Sequence, residues 1–513
     1  MGDVITSAEG EGGSLSEPEA TEPKNIRQSR DPHLDRNDHH EDHQHSISQA
    51  VELSNTPATS ARVQSEPLPR TRSEIRKRVF TLTAPALGEM FLMSFVSIVD
   101  MMMVGQLGAA AIAAVGLTIQ PMLFLQSVFM ALNVGTTAVV AQSIGARSFD
   151  SANAAAKQSL LVSLVLGIII SGGSVIGAPY VLKFMGADPD VMKAGVGYFQ
   201  VVAGGIIFNC IGMSIAAALR GAGDTRTPMI VNGLANILNI FGNYALIFGK
   251  FGMPALGVFG AGLSTTASRG IATLLFIPIA INGRRGIRLA TPGGWRPDRS
   301  MLSRIWRVGW PAALEQFVMR GGHVLYARVV AGLGTAIFAS HQIGLNVLSL
   351  TFLPGQAFSI AATTLVGQSL GADDPAEAET CARETHRLGL IVGGITAAIL
   401  FAFGRQITWL YIKDPVVIAD TALILKIYAL AQPSQSTQFI LAGALRGAGD
   451  TKWPLYSTAV GVWGVRLLLA ILFINAFGWG LVGAWIALDL DQMSRSLVLS
   501  RRFRAGHWKQ MRV

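Results

Sequence analysis

The sequence predicts an all-α polytopic membrane protein, with twelve transmembrane helices arranged as two six-helix bundles related by a pseudo-twofold axis along the membrane normal. Composition is the first reason: half of the 513 residues are apolar, only 14% are charged and the mean hydropathy is +0.43, outside the usual soluble range. Distribution is the second, because long apolar runs such as 159–179 and 271–281 alternate with short charged connectors, as membrane spans do. An internal duplication is the third. Leu219-Arg220-Gly221-Ala222-Gly223-Asp224-Thr225 recurs letter for letter as Leu445-Arg446-Gly447-Ala448-Gly449-Asp450-Thr451, an offset of 226 residues. Without a gap, that offset also superposes Pro85 on Pro311, Glu89 on Glu315, Gly108 on Gly334 and Gln142-Ser143 on Gln368-Ser369. So long a period belongs to a duplicated bundle rather than to a solenoid.

Taken in chain order, residues 1–70 carry 13 acidic and 6 basic side chains and five of the nine histidines, and are expected to form a disordered cytoplasmic tail. His33, His39, His40, His43 and His45 have no fixed geometry there with which to hold a metal. The tail lacks the short apolar stretch of a secretory signal, so the first span is expected to serve as the signal itself. An N-lobe at 71–281 holds spans near 80–104, 111–143, 152–182, 191–220, 228–249 and 255–281. A basic connector rich in Gly and Pro, 282–307, leads to a C-lobe at 308–500, with spans near 308–331, 337–368, 378–410, 416–446, 454–476 and 479–500. Residues 501–513 form a basic cytoplasmic tail.

Because six is even, both halves enter the bilayer from one side. Connectors on the side of the termini hold roughly two dozen Lys and Arg against about five on the other, which predicts a multi-pass plasma-membrane protein with both termini cytoplasmic. Removing the tail from the totals of 41 basic and 32 acidic residues leaves 35 and 19, an excess of +16 on the remaining 443 residues. Set between spans, that charge suits anionic lipid and not nucleic acid. Cys210 and Cys381 lie in separate apolar segments, so neither a disulfide nor a cysteine zinc site is expected. In the heptapeptide, glycines permit a tight turn, Asp224 or Thr225 can cap the next helix and Pro228 suits its first turn.

Together the paired heptapeptides, Gln142-Ser143-Ile144-Gly145-Ala146 with its near-copy Gln368-Ser369-Leu370-Gly371-Ala372, and Val99-Asp100 ahead of Val104-Gly105-Gln106-Leu107-Gly108 resemble the multidrug and toxic compound extrusion (MATE) transporters over about residues 79 to 510. The resemblance implies a V-shaped pair of lobes, alternating access, and export of small and often cationic organic compounds in exchange for H⁺ or Na⁺. It implies no cofactor and no catalysis. Its NorM-like branch would place a further glutamate along the seventh span, where Met319 and Arg320 stand, so the DinF-like branch is favoured.

An acidic side chain inside a span is costly unless paired, protonated or facing water, so each is a candidate site. Asp100 sits about four residues from the outer end of the first span, Asn243 about six and Asn239 about ten from that of the fifth, and Thr265 about ten into the sixth, depths at which all four can meet. Asn239 and Asn243, four apart, share a helix face. The resemblance assigns an Asp at the place of Asp100 to the cation or proton site. It also implies Asn, three apolar residues and Asp on the fifth helix, where this chain has Asn243 for the Asp. One carboxylate fewer favours H⁺ at Asp100, with Na⁺ there the alternative. The other copy acts as a control: Tyr326, Val465 and Leu469 replace Asp100, Asn239 and Asn243, and after a three-residue deletion Leu488 replaces Thr265. The duplicated scaffold therefore does not need these polar groups.

Arg466 in the eleventh span and Asp489 and Asp491 in the twelfth form a possible C-lobe charge cluster, most simply read as an Arg–Asp pair. Glu89 and Glu315, at equivalent repeat positions, point to a shared structural role. No metal site is expected, and a monomer is. Two rivals to the exporter have their own marks. A flippase for lipid-linked precursors requires a cavity richer in cationic residues, and a membrane-embedded enzyme requires clustered His, Asp or Ser, whereas His323, His341, His386 and His507 are scattered.

Overall fold

A chain with no water to bond its amides must satisfy them within each segment. In the computed structural model, which describes residues 71–283, 286–291, 293 and 295–513, the backbone is accordingly helical, with no extended strand among the described residues. The tail 1–70, with its histidine group, and positions 284, 285, 292 and 294 lie outside the described residues. The N-terminal half contains α1 (Arg72–Gly105), α2 (Ala109–Gly145), α3 (Phe149–Phe184), α4 (Pro189–Gly221), α5 (Arg226–Phe248) and α6 (Gly257–Asn282). The C-terminal half contains α7 (Arg299–Ala331), α8 (Thr335–Gly371), α9 (Pro375–Tyr411), α10 (Pro415–Ala429 and Gln432–Ala448, bent by 54°), α11 (Lys452–Ala476) and α12 (Gly480–Ala505).

Local chemistry sets the helix starts. Thr71 Oγ1 accepts from the Glu74 amide (3.3 Å) while Glu74 Oε2 accepts from the Thr71 amide (3.1 Å), a closed capping box for α1. Asp414 Oδ1 accepts from the Val416 amide (2.8 Å) ahead of α10, with Pro415 in its first turn. Asp298 does the same for α7 through the Ser300 amide (2.8 Å), so 299–307, expected within the connector, is helical. The duplication extends to the turns: Gly108 (φ 103°) and Gly334 (φ 106°) lead into α2 and α8 in a conformation that only glycine adopts freely.

Nine of these helices are long and apolar enough to cross a membrane, and the bent α10 makes a tenth. The exceptions are α7 and α12. They carry Glu315, Asp489, Asp491 and Arg495, all buried in the bundle, and charged helices of this kind span a membrane only where their charges face protein or a cavity.

Two large cores are centred one in each half but reach across, the first taking in Met301 and Ile305 of α7 and the second Ile75, Val79 and Leu82 of α1. Val139, Ala155, Leu219 and Phe276 tie α2, α3, α4 and α6 together, and Val366, Ala382, Leu445 and Leu499 tie α8, α9, α10 and α12. The halves meet on the face that carries the termini, where the ends of α2 and α8 cross the starts of α7 and α1. Close approach there needs glycine: a Cβ at Gly309 would stand 2.8 Å from the Ala131 carbonyl oxygen, and one at Gly371 would run into that of Gln142.

Candidate functional site

In the half of the N-lobe away from the termini, α1, α5 and α6 bring together the four polar residues singled out by depth. Asn243 Nδ2 donates to Asp100 Oδ1 (2.6 Å). With its amide nitrogen toward the carboxylate, Asn239 donates to both Asp100 oxygens (3.1 and 3.2 Å) and its own oxygen accepts from the Thr265 amide (3.3 Å). Thr265 thus reaches Asp100 through Asn239, and its hydroxyl donates back to the Ala261 carbonyl (3.0 Å). Asn239 and Asn243 are buried and Asp100 is half-buried. Sequence reasoning missed Arg269, one turn beyond Thr265, which exerts a Coulombic pull on Asp100. It is an intramembrane arginine, and a census of basic as well as acidic residues within spans would have found it.

At the level where the halves meet, the duplication is visible as chemistry. Arg220 Nη2 donates to Glu89 Oε1 (2.7 Å), and at the repeat offset Arg446 Nη2 donates to Glu315 Oε1 and Oε2 (2.9 and 2.7 Å). Glu89 also accepts from Asn232 (2.7 Å), Glu315 from Thr458 (3.2 Å). The two motifs then exchange bonds across the interface: Gln142 Nε2 donates to the Gly447 carbonyl (3.1 Å) and Gln368 Nε2 to the Gly221 carbonyl (3.0 Å). Each half's Gln-Ser-x-Gly-Ala therefore clasps the other half's Leu-Arg-Gly. The heptapeptide's Asp224 accepts from the Thr227 amide (3.0 Å) as a helix cap, whereas Asp450 accepts from Arg502 Nε (2.7 Å).

The C-lobe residues divide. Arg466 Nε donates to Asp491 Oδ2 (3.0 Å) and Nη2 donates to the same oxygen. Asp489 joins neither; its Oδ1 is buried without a hydrogen-bond partner among the described residues. Tyr326, in the repeat position of Asp100, donates its hydroxyl to the Ala484 carbonyl (2.8 Å) and packs edge-on to His341 (5.6 Å between rings). Where the N-lobe places a carboxylate, the C-lobe therefore fills the space with aromatic rings.

Between the halves, beside the Gln-Ser-x-Gly-Ala clasp, lies a cavity of about 400 Å³. The N-lobe lines it with Met90, Met130, Met213, Val134 and the paired Arg220, and the C-lobe with glutamines, Met319, His323 and the arginines Arg446, Arg466 and Arg495. Asp100 is not part of this wall, and the one carboxylate that is, Glu315, is engaged by Arg446. The described residues contain no cluster of three or more His, Cys, Asp or Glu suited to a metal, and Cys210 and Cys381 are free and buried.

Comparisons with known proteins agree with this architecture. The family model MatE matches residues 85–245 and 311–472, one block in each half. The probable multidrug resistance protein NorM of Thermotoga maritima is 34% identical over 445 residues, 86% of this chain and 94% of that protein. Multidrug resistance protein PmpM of Pseudomonas aeruginosa is 30% identical over 405 residues, 78% of this chain and 83% of that protein. Among solved structures, an outward-facing multidrug resistance MATE family transporter of the MOP superfamily superposes with a TM-score of 0.79 at 23% identity, over 84% of this chain and 96% of that one.

Proposed function

We propose, from the premise that this chain belongs to the MatE family of membrane transporters, that it is a secondary active exporter of small organic compounds driven by protons that titrate on Asp100. The observation that carries this reading is the surroundings of Asp100. Amide donors of Asn243 and Asn239 point at its oxygens, and Arg269 adds positive charge. A hard cation such as Na⁺ needs several oxygens converging on it. Here donors converge on the carboxylate instead, an arrangement that suits a group alternating between charged and protonated forms.

Protonation removes the charge that the two asparagines and Arg269 satisfy. The hydrogen bonds tying α1 to α5 then weaken, and the packing of α1, α5 and α6 changes with the proton's arrival. Coupling follows if only one of the two packings leaves the inter-lobe cavity able to hold its compound. In this reading the clasp on the termini face closes the cytoplasmic side, the lobes exchange access by a rocking motion that parts it, and the protein works as a monomer in the plasma membrane with both termini inside. The DinF-like branch is supported by Met319 and Arg320 standing along α7 where the NorM-like branch would place a glutamate.

The test is accumulation of a fluorescent substrate in the lumen of everted vesicles, the direction of export, under imposed ΔpH or ΔNa⁺. Wild type is expected to respond to ΔpH alone, and Asp100→Asn to lose at least about tenfold of that response, the scale on which a positioned proton-transfer group contributes. Normal transport by Asp100→Asn, or accumulation driven by ΔNa⁺ at constant pH, sinks the proposal.

A further inference from the structure

The charges of the inter-lobe cavity do not balance. Of its four arginines, Arg220 is matched by Glu89, Arg446 by Glu315 and Arg466 by Asp491. Arg495 is left over. It is 2% exposed, lines the cavity from α12 and makes no ion pair among the described residues; Asp491 and Glu315 act on it only at longer range, each already bonded to Arg466 or Arg446. Its guanidinium instead donates to Thr458 Oγ1 (2.9 Å) and approaches Met319 Sδ (3.9 Å), with the Gln438 amide oxygen beside it. A buried cation held by a hydroxyl, an amide and a thioether is costly, since none of these neutralises it.

Scaffold does not account for that cost. Aligned through the three-residue deletion, the N-lobe has Ala272 where the C-lobe has Arg495, so the duplicated unit folds without the arginine. The opposite wall has a different character. Met90, Met130 and Met213 present thioethers, soft and adaptable, and Asn133 leaves its Oδ1 buried with no partner. A ligand that fits both walls has an aromatic or aliphatic body against the methionines and an anionic group against Arg495, which guanidinium binds in a two-pronged geometry. A volume of about 400 Å³ suits a small molecule, not an assembled lipid-linked oligosaccharide.

We propose that Arg495 is the anion anchor of this cavity and that the transported compounds are small amphipathic organic anions bearing a carboxylate, sulfonate or phosphate. This assignment rests on the cavity being the substrate site of an exporter, and not on proton coupling at Asp100.

The experiment is equilibrium binding, without any gradient, to the purified full chain in phosphatidylcholine nanodiscs. The probes are a matched radiolabelled series on one naphthyl body: a carboxylate, a neutral amide and a trimethylammonium. Wild type is expected to bind the carboxylate at least about tenfold more tightly than the other two, as a charge-assisted hydrogen bond allows. Arg495→Gln is expected to bring the carboxylate to the level of the neutral amide and leave the amide unchanged, and Arg495→Lys to retain most of the preference. Equal binding of all three probes by wild type, a preference for the cation, or an equal loss of all three in Arg495→Gln would overturn the proposal. If Arg495→Gln does not fold, the wild-type series and Arg495→Lys still decide it. A short prenyl phosphate serves as competitor: displacement no better than by naphthyl phosphate supports a small anion, and displacement a hundredfold better assigns the site to a lipid head group and overturns it. Because these probes are compared at equilibrium and on wild-type Asp100, their charge preference does not depend on any gradient, so a failed coupling test and a failed charge preference are told apart.

Discussion

At the scale of residues, duplication with substitution separates scaffold from chemistry. The pairs Glu89–Arg220 and Glu315–Arg446 occupy equivalent places in the two halves and make equivalent bonds, so they belong to the unit that was duplicated. Glu315→Gln leaves Arg446 buried beside a neutral amide, and the purified protein is expected to lose about 3 kcal/mol of stability, as when one partner of a buried pair is removed. The double variant Glu315→Gln/Arg446→Gln is expected to regain much of it, which a thermal-shift double-mutant cycle measures as a coupling energy of about 1–3 kcal/mol. A coupling energy near zero would mean that the pair is incidental. Asp100, Asn239, Asn243 and Thr265 were legible because the second copy lacks them, and their depths follow from helical rise alone. Arg269 was within reach of a census of basic residues in spans, but the solitary state of Arg495 was not legible, because whether a buried charge has a partner depends on which helices are neighbours.

At the scale of elements, hydropathy finds ten of the twelve spans at most, and the repeat supplies α7 and α12, whose charges are buried among neighbouring helices only after packing. The same limit applies to the glycines. Both copies of Gln-Ser-x-Gly-Ala are plain in the sequence, but nothing in it says that Gly145 meets the Gln368 carbonyl and Gly371 that of Gln142 across the interface. Gly371→Ala forces α8 away from α2, at a cost of about 1–3 kcal/mol if the helices stay together. The alternative is that the clasp opens. A cysteine in place of Val134, which lines the cavity beside the clasp, reports which occurs, because Cys210 and Cys381 are buried. In the Gly371→Ala background, that cysteine is expected to react severalfold faster with an impermeant maleimide added from the face of the termini. An unchanged rate in folded protein would show that the glycine contact does not hold the clasp shut.

At the scale of the whole molecule, two halves centred on different cores are joined through a glycine-lined face at the ends of α2 and α8, and this predicts where motion occurs. The cores on either side, around Leu219 and around Leu445, are too densely packed to deform continuously, so the alternating access proposed above requires one half to move against the other. The clasp must then part in every cycle. Ala141 and Gly367 face one another across it; a Cβ on Gly367 would lie 2.7 Å from that of Ala141, about an ångström closer than a disulfide needs. Cysteines at both positions, in a background with Cys210 and Cys381 changed to alanine, are therefore expected to form a cross-link on oxidation after a small outward shift of α8. The oxidised double variant is expected to keep binding substrate, since the cavity beside the clasp is untouched, but to stop turning over, with efflux in vesicles falling at least about tenfold and returning when a thiol reductant is added. Efflux that continues at the wild-type rate with the cross-link intact would mean that the halves do not separate here, and that access changes by bending within a half, with the bent α10 and the π-helical stretches of α11 as the places to look.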